Sequence, residues 1–172
     1  TAADMEIQEN LALARRRGSV RTLRWGVTGK EKQYFHEMLS SLGLGLEERM
    51  SVKVRLLSGG QRQALTLLMA ILNTPKLLLL DEHTAALDPK TARKVLELSE
   101  RFIADMQLTC MMVTHNMRDA IAYGNRLIMM SQGRIILDVN GTDKQQLTVE
   151  QLIHLFSSRS REEVNNDRML LG

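Results

Sequence analysis

The stretch Lys76–Glu82, KLLLLDE, constrains the fold more than any other part of the chain. Four consecutive leucines bounded by turn signals point to a strand buried on both faces, as in a parallel sheet. A parallel sheet needs a crossover, and one follows. From Pro89 a helical pattern carries Val95, Leu98, Phe102, Ile103 and Met106 in one apolar stripe. LTCMMVTH, residues 108–115, is then a second buried strand. NMRDAIAYG reads as a helix, and RLIMMSQGRIILDV as a hairpin around Gly133. Thr148 and Gln151 form a capping box for a helix through Phe156. The order is that of an α/β protein. Ligands of such sheets bind outside the carboxyl ends of the strands. Here those ends carry Asp81-Glu82 and Thr114-His115.

The first part of the chain is helical by pattern. A short helix is expected over residues 5–16, followed by a basic loop, RRRGSVRTLRWG. A second helix runs from about Lys30 to Ser41 and stops at Gly43–Gly45. Ser58 caps a third, about 59–73, which ends before Pro75. The last residues, 157–172, read as a polar, fraying tail.

At 172 residues and 44% hydrophobic, the chain can bury a real core. Aromatics are only 3%, so that core must be aliphatic, with the 11 methionines filling gaps. The single cysteine, Cys110, excludes an intramolecular disulfide, and its apolar setting marks it as a buried structural thiol. No apolar run approaches the roughly 20 residues that span a bilayer, and no secretory signal is visible. The first residue is Thr1, as in a fragment or a processed product. The net charge of +3 sits entirely in residues 1–32. That segment holds seven basic residues (Arg15, Arg16, Arg17, Arg21, Arg24, Lys30 and Lys32) against four acidic ones. Such a patch suits nucleic acid, lipid head groups or an acidic partner, and equally a solvated helix face.

Three groups of residues carry chemistry. Asp81, at a strand end, can hold Mg²⁺ through water, and Glu82 can polarise an attacking water. The pair could instead cap the next helix. Ser58-Gly59-Gly60-Gln61 opens a helix: two glycines expose N–H groups, the helix start adds a positive dipole end, and the serine hydroxyl can donate to a phosphate oxygen. An ordinary serine-capped helix after a tight turn fits the same four residues. His115 could bond a γ-phosphate or be structural, and Asp88 in AALDP can cap a helix while serving a site.

In this order the segments resemble the ATP-binding cassette (ABC) ATPases. Leu57–Gln61 match the family signature, Leu77–Asp81 the Walker B strand, Glu82 the catalytic glutamate, Ala86–Asp88 the D-loop and His115 the switch histidine. The resemblance covers residues 5–156. It implies a P-loop NTPase core of parallel strands (about 74–156) joined to a helical signature region (about 5–73). His83 departs from the family, where many members carry proline. DEHTAALDPKTA and THNMRDAIAYGNRLIMM look most like a bacterial importer subgroup associated with binding proteins for amino acids of the tryptophan type.

A larger departure is the P-loop. G-x-x-x-x-G-K-[ST] occurs nowhere in the sequence. In RWGVTGKEK, Lys30 is followed by Glu31, and Arg24 stands where the first glycine should be. Nor does a Q-loop glutamine precede residue 5. The expectation is therefore the C-terminal two-thirds of a cassette. In the family, cassettes pair head to tail, so Ser58, Gly59, Gly60 and Gln61 would meet ATP held by a partner's P-loop. The resemblance implies ATP and Mg²⁺ as cofactors, with Asp81 on the metal and Asp88 near nucleotide. It further implies a second cassette as homodimer partner, transmembrane permease subunits, and indirectly an extracytoplasmic solute-binding protein. The expected place is the cytoplasmic face of the membrane, with no nucleic-acid partner. The whole protein would power uptake of a small solute, and these residues alone would be inactive. The rivals are an ABC ATPase acting on ribosomes or DNA, and an inactive cassette remnant.

Overall fold

The computed structural model describes residues 1–18 and 26–158. The chain forms two compact units, Thr1–Val113 and Thr114–Gly172. Arg21 and Arg24 of the basic loop, and the expected tail from residue 159 onward, lie outside the described residues.

The first unit contains α1 (Ile7–Arg15), α2 (Gly29–Ser40), α3 (Gly59–Ile71), β1 (Leu78–Asp81), α4 (Pro89–Asp105) and β2 (Cys110–Val113). Its helices start where the sequence supplies caps. Glu6 and Glu9 form a capping box on α1, Thr28 and Glu31 one on α2, and Ser58 and Gln61 one on α3. Asp88 accepts from the Thr91 N–H at 3.1 Å to begin α4, with Pro89 in its first turn. The C-terminus of α1 is closed from a distance, because Asn73 donates to the carbonyls of Ala14 (3.2 Å) and Arg15 (3.1 Å). After α2 the chain reverses through Gly43 and Gly45, both at positive φ (64° and 68°), where a side chain would be strained.

The core of this unit is mainly aliphatic, with two phenylalanine rings, Phe35 and Phe102. Ile7, Leu11, Phe35, Leu39, Leu46, Leu65, Leu68 and Ile71 are fully buried. Leu78, Leu80 and Phe102 join them. The stripe on α4 sits as its periodicity dictates: Val95 and Phe102 are buried, and Leu98, Ile103 and Met106 are half-buried. Cys110 is half-buried and free, and burial pushes its thiol up, as befits an inert group.

The basic segment is partly structural. The Arg15 guanidinium lies 4.4 Å from the centroid of the Tyr34 ring. Arg16 donates to the Gly26 carbonyl at 2.9 Å and pairs with Glu31 at 3.4 Å. Both thereby tie the end of α1 to the start of α2, while Arg17 is exposed.

β1 and β2 pair in parallel, Leu78 opposite Cys110 through Asp81 opposite Val113. The strands arise where expected, but the burial on both faces does not. Leu78 and Leu80 face the helices, whereas Leu79 (64% exposed), Met111 (51%) and Val113 (46%) line an exposed face. A run of leucines reports that a strand can tolerate burial on both sides. It does not report what covers each side.

The second unit contains α5 (Met117–Ala122), β3 (Arg126–Ser131), β4 (Arg134–Asn140), α6 (Gly141–Gln145) and a last helix over 149–158. β3 and β4 form the expected hairpin. Its two-residue turn, Gln132-Gly133, has positive φ at both positions (46° and 79°), the twist that suits adjacent antiparallel strands. Leu127, Leu137 and Leu152 form the buried centre. Lys144 is buried and donates its ammonium to the carbonyl of Ile121 in α5. Thr148 and Gln151 make the anticipated reciprocal bonds, at 2.9 and 3.2 Å. No helix among the described residues is long and apolar enough to cross a membrane.

Candidate functional site

The carboxyl end of β1 carries the acidic pair. Asp81 is exposed. Strand alternation puts it on the same face as Leu79, and the register sets it beside Val113. At Glu82 the backbone turns into the left-handed region, with φ of 40°. Its N–H still continues the ladder, donating to the Val113 carbonyl at 3.0 Å. Its own carbonyl accepts from Ala85 at 3.0 Å, closing a turn away from the sheet. A glutamate in this backbone region costs about 1–3 kcal/mol and persists only where the surroundings impose it.

The next residues supply such surroundings. His83 is half-buried, and its Nε2 lies 3.3 Å from the hydroxyl of Ser99, a buried residue of α4. Burial also holds the imidazole below its ordinary pKa. Thr84 accepts from the Leu87 N–H at 3.1 Å, and Asp88 closes the loop as the cap of α4. The Thr91 hydroxyl, and after it the Thr91 N–H, hold the Asp88 carboxyl below the usual range.

Ser58 and Gln61 stand at the start of α3. The Ser58 hydroxyl accepts from the Gln61 N–H at 3.3 Å, and the Gln61 amide oxygen accepts from the Ser58 N–H at 3.2 Å. The two glycines between them have helical backbones, so their need is not conformational. A Cβ on Gly59 would come 3.1 Å from the Leu87 Cδ2, and one on Gly60 would come 2.1 Å from the Thr91 Cγ2. Gly59 and Gly60 thus let the first turn of α3 approach Leu87 and the first turn of α4. Of the residues singled out in the sequence, Ser58, Gly59, Gly60, Gln61, Asp81, Glu82 and Asp88 all belong to the first unit, and Gly59 packs against Leu87 of the loop that ends in Asp88. His115 is exposed and belongs to the second unit, two residues past Val113.

This arrangement offers acidic groups at a strand end and polar donors at a helix start. A divalent cation bound mainly by water and substrate phosphates needs one or two protein carboxylates. Asp81 is one exposed carboxylate at this strand end. No cluster of three or more metal-ligating side chains exists among the described residues.

Sequence reasoning missed the packing partners Leu87 and Thr91, and it missed Ser99 as the partner of His83. A small-residue pair at a helix start signals either ligand approach or close helix contact, and the sequence does not say which. Ser99 carried a usable signal, being a polar residue four positions after Val95 on the apolar stripe of α4.

Residues 2–85 match the family model described as ABC transporter. Over 156 residues the chain is 44% identical to the tyrosine transport ATP-binding protein of Clostridioides difficile (strain R20291), covering 91% of this chain and 62% of that protein. It is 36% identical over 154 residues to the methionine import ATP-binding protein MetN of Streptococcus pyogenes serotype M2 (strain MGAS10270), covering 86% and 41%. The chain thus spans less than two thirds of the length of these relatives. Its fold matches an ATP-binding cassette of an ABC transporter in its ADP conformation, with a TM-score of 0.72 at 21% identity, over 90% of this chain and 63% of that one. It also matches an ABC transporter in an inward-facing conformation, with a TM-score of 0.71 at 25% identity, over 91% and 60%.

Proposed function

The chain belongs to the ATP-binding cassette family of ABC transporters, and from that premise we propose that the whole protein is the ATP-hydrolysing subunit of a bacterial importer. The observation that carries the reading is Glu82, held in left-handed backbone at the carboxyl end of a parallel strand, directly after Asp81. In this reading the Asp81 carboxylate receives Mg²⁺ through water. When bound, that ion neutralises charge on the ATP phosphates. Glu82 accepts a hydrogen bond from the attacking water and orients it toward the γ-phosphorus. His115 bonds a γ-phosphate oxygen. Ser58, Gly59, Gly60 and Gln61 present a hydroxyl and helix N-terminal amides to ATP bound by a second cassette, which supplies the lysine these residues lack. Asp88 lies near that nucleotide, the place the D-loop match implies.

Closure around ATP and reopening after hydrolysis would drive transmembrane permease subunits at the cytoplasmic face of the membrane. The solute proposed is an amino acid, because the relatives named above are a tyrosine and a methionine transport protein. In the full-length protein, Glu82→Gln should nearly abolish steady-state hydrolysis while Mg-ATP binding is retained. Turnover within a few-fold of the parent would remove Glu82 from its role. Recovery with ribosomes instead of membranes would replace the importer reading.

A further inference from the structure

We propose that His83 is a positioning residue for Glu82, acting through a hydrogen bond to the buried hydroxyl of Ser99. The inference deepens the reading of Glu82 as the water-orienting carboxylate and rests on it.

The geometry supports it in three steps. First, Glu82 occupies a backbone region that a glutamate does not enter spontaneously, with φ of 40°. Its N–H is fixed by Val113 and its carbonyl by Ala85, each at 3.0 Å. Those two bonds tether its backbone to the strand end and to the turn that follows. Second, the residue that follows is anchored to a different element. His83 reaches Ser99 at 3.3 Å, and Ser99 is 3% exposed on α4. Third, the hydroxyl has one proton, and it is already committed. Ser99 donates to the Val95 carbonyl within its own helix at 2.8 Å. Toward His83 the hydroxyl can only accept, so Nε2 must carry the proton. The strand end and α4 are thereby joined across Glu82, by a ladder bond before it and a side-chain bond after it. The backbone that carries the Glu82 side chain is held on both sides.

In the full-length protein, the test compares Mg-ATP hydrolysis in the parent, His83→Ala, Ser99→Ala, the double variant and His83→Gln. A carboxylate displaced by a fraction of an ångström should lose about tenfold in kcat. Each alanine variant should show that loss with KM for Mg-ATP unchanged. The double variant should lose no more than either single one, and His83→Gln, which keeps a donor at similar reach, should recover most of the rate. A kcat for Ser99→Ala within twofold of the parent would overturn the proposal, as would parallel changes in kcat and KM. Ser99→Ala keeps the test decisive if His83→Ala does not fold, because it removes only a hydroxyl. An independent arm needs no turnover. The ¹⁵N shifts of His83 in the nucleotide-free protein should report the Nε2–H tautomer, and Ser99→Ala should shift them. An Nδ1–H tautomer would overturn the proposal even in an active enzyme. A parent that does not hydrolyse Mg-ATP, with the Nε2–H tautomer present, would instead count against the proposed function.

Discussion

Gly60 and Thr91 pack so closely that a Cβ on Gly60 would lie 2.1 Å from the Thr91 Cγ2 methyl. No real pair of carbon atoms tolerates that separation, and Thr91 is a stiff β-branched residue in a helix. Gly60→Ala should therefore destabilise the full-length protein by about 1–3 kcal/mol, the usual cost of overpacking. In a Thr91→Ala background the same change should be neutral or stabilising, since alanine is the better helix former. The Asp88 cap survives Thr91→Ala, because the backbone N–H of residue 91 remains. Urea unfolding of the four proteins gives the coupling, and additive effects would show that the contact is not tight.

The same contact governs how the start of α3 can be probed for phosphate binding. A carboxylate at Gly60 would collide with Thr91 before it met any ligand, so a loss of function there would be uninformative. Ser58→Asp is the cleaner change. Aspartate caps helices about as well as serine, so stability should stay within about 0.5 kcal/mol. Its charge would oppose a phosphate at the N-terminus of α3. ATP-dependent dimerisation should be lost while the monomer still binds Mg-ATP. Loss of monomer binding would mean that Ser58 serves nucleotide on its own subunit.

What could be read from the sequence, and what could not, follows from the range of each signal. Caps and turns are local, so Ser58, Asp88, Thr148 and Gly133 were legible as helix starts and a hairpin turn. Apolar periodicity located β1, β2 and α4 for the same reason. The one-sided exposure of β1 was not legible, because burial depends on what packs against a strand. The roles of Gly59, Gly60 and His83 were hidden for a related reason. Their partners Leu87, Thr91 and Ser99 are 16 to 31 residues away and are brought near only by the fold. α6 also escaped, since five polar residues have no apolar period to detect.

Asp88 links stability to pH with a definite sign. Its carboxyl titrates below the ordinary aspartate value of 3.8 because the Thr91 hydroxyl and N–H favour the ionised form. A depressed folded pKa means that the contribution is complete above the unfolded value and is lost as pH falls through the folded one. Asp88→Asn keeps an acceptor for the Thr91 N–H but cannot ionise. The stability difference between parent and Asp88→Asn should therefore be constant from neutral pH to about 5 and shrink on acidification below the ordinary aspartate range. Denaturant midpoints across that range check it. A difference that grows on acidification would reverse the assignment.

The exposed face of the β1–β2 sheet leads to the last prediction. Parallel strands are found with both faces covered, because their crossovers lay helices on each side. Here the helices of the first unit cover Leu78 and Leu80 and leave Leu79, Met111 and Val113 exposed. The register puts Leu79 opposite Met111, so their side chains form one continuous apolar strip that ends at Val113 beside Asp81. Adjacent apolar groups of this kind drive association more strongly than the same groups scattered. The 172-residue chain, prepared by itself, should self-associate with rising concentration. Leu79→Lys should reverse this at little cost in folding stability, since residue 79 contributes nothing to the buried core and a lysine stem can lie along the strip with its charge in water. Sedimentation velocity of the two chains over a hundredfold range of concentration decides the matter. A parent that stays monomeric throughout, or a Leu79→Lys chain that associates equally, would show that this face does not drive association.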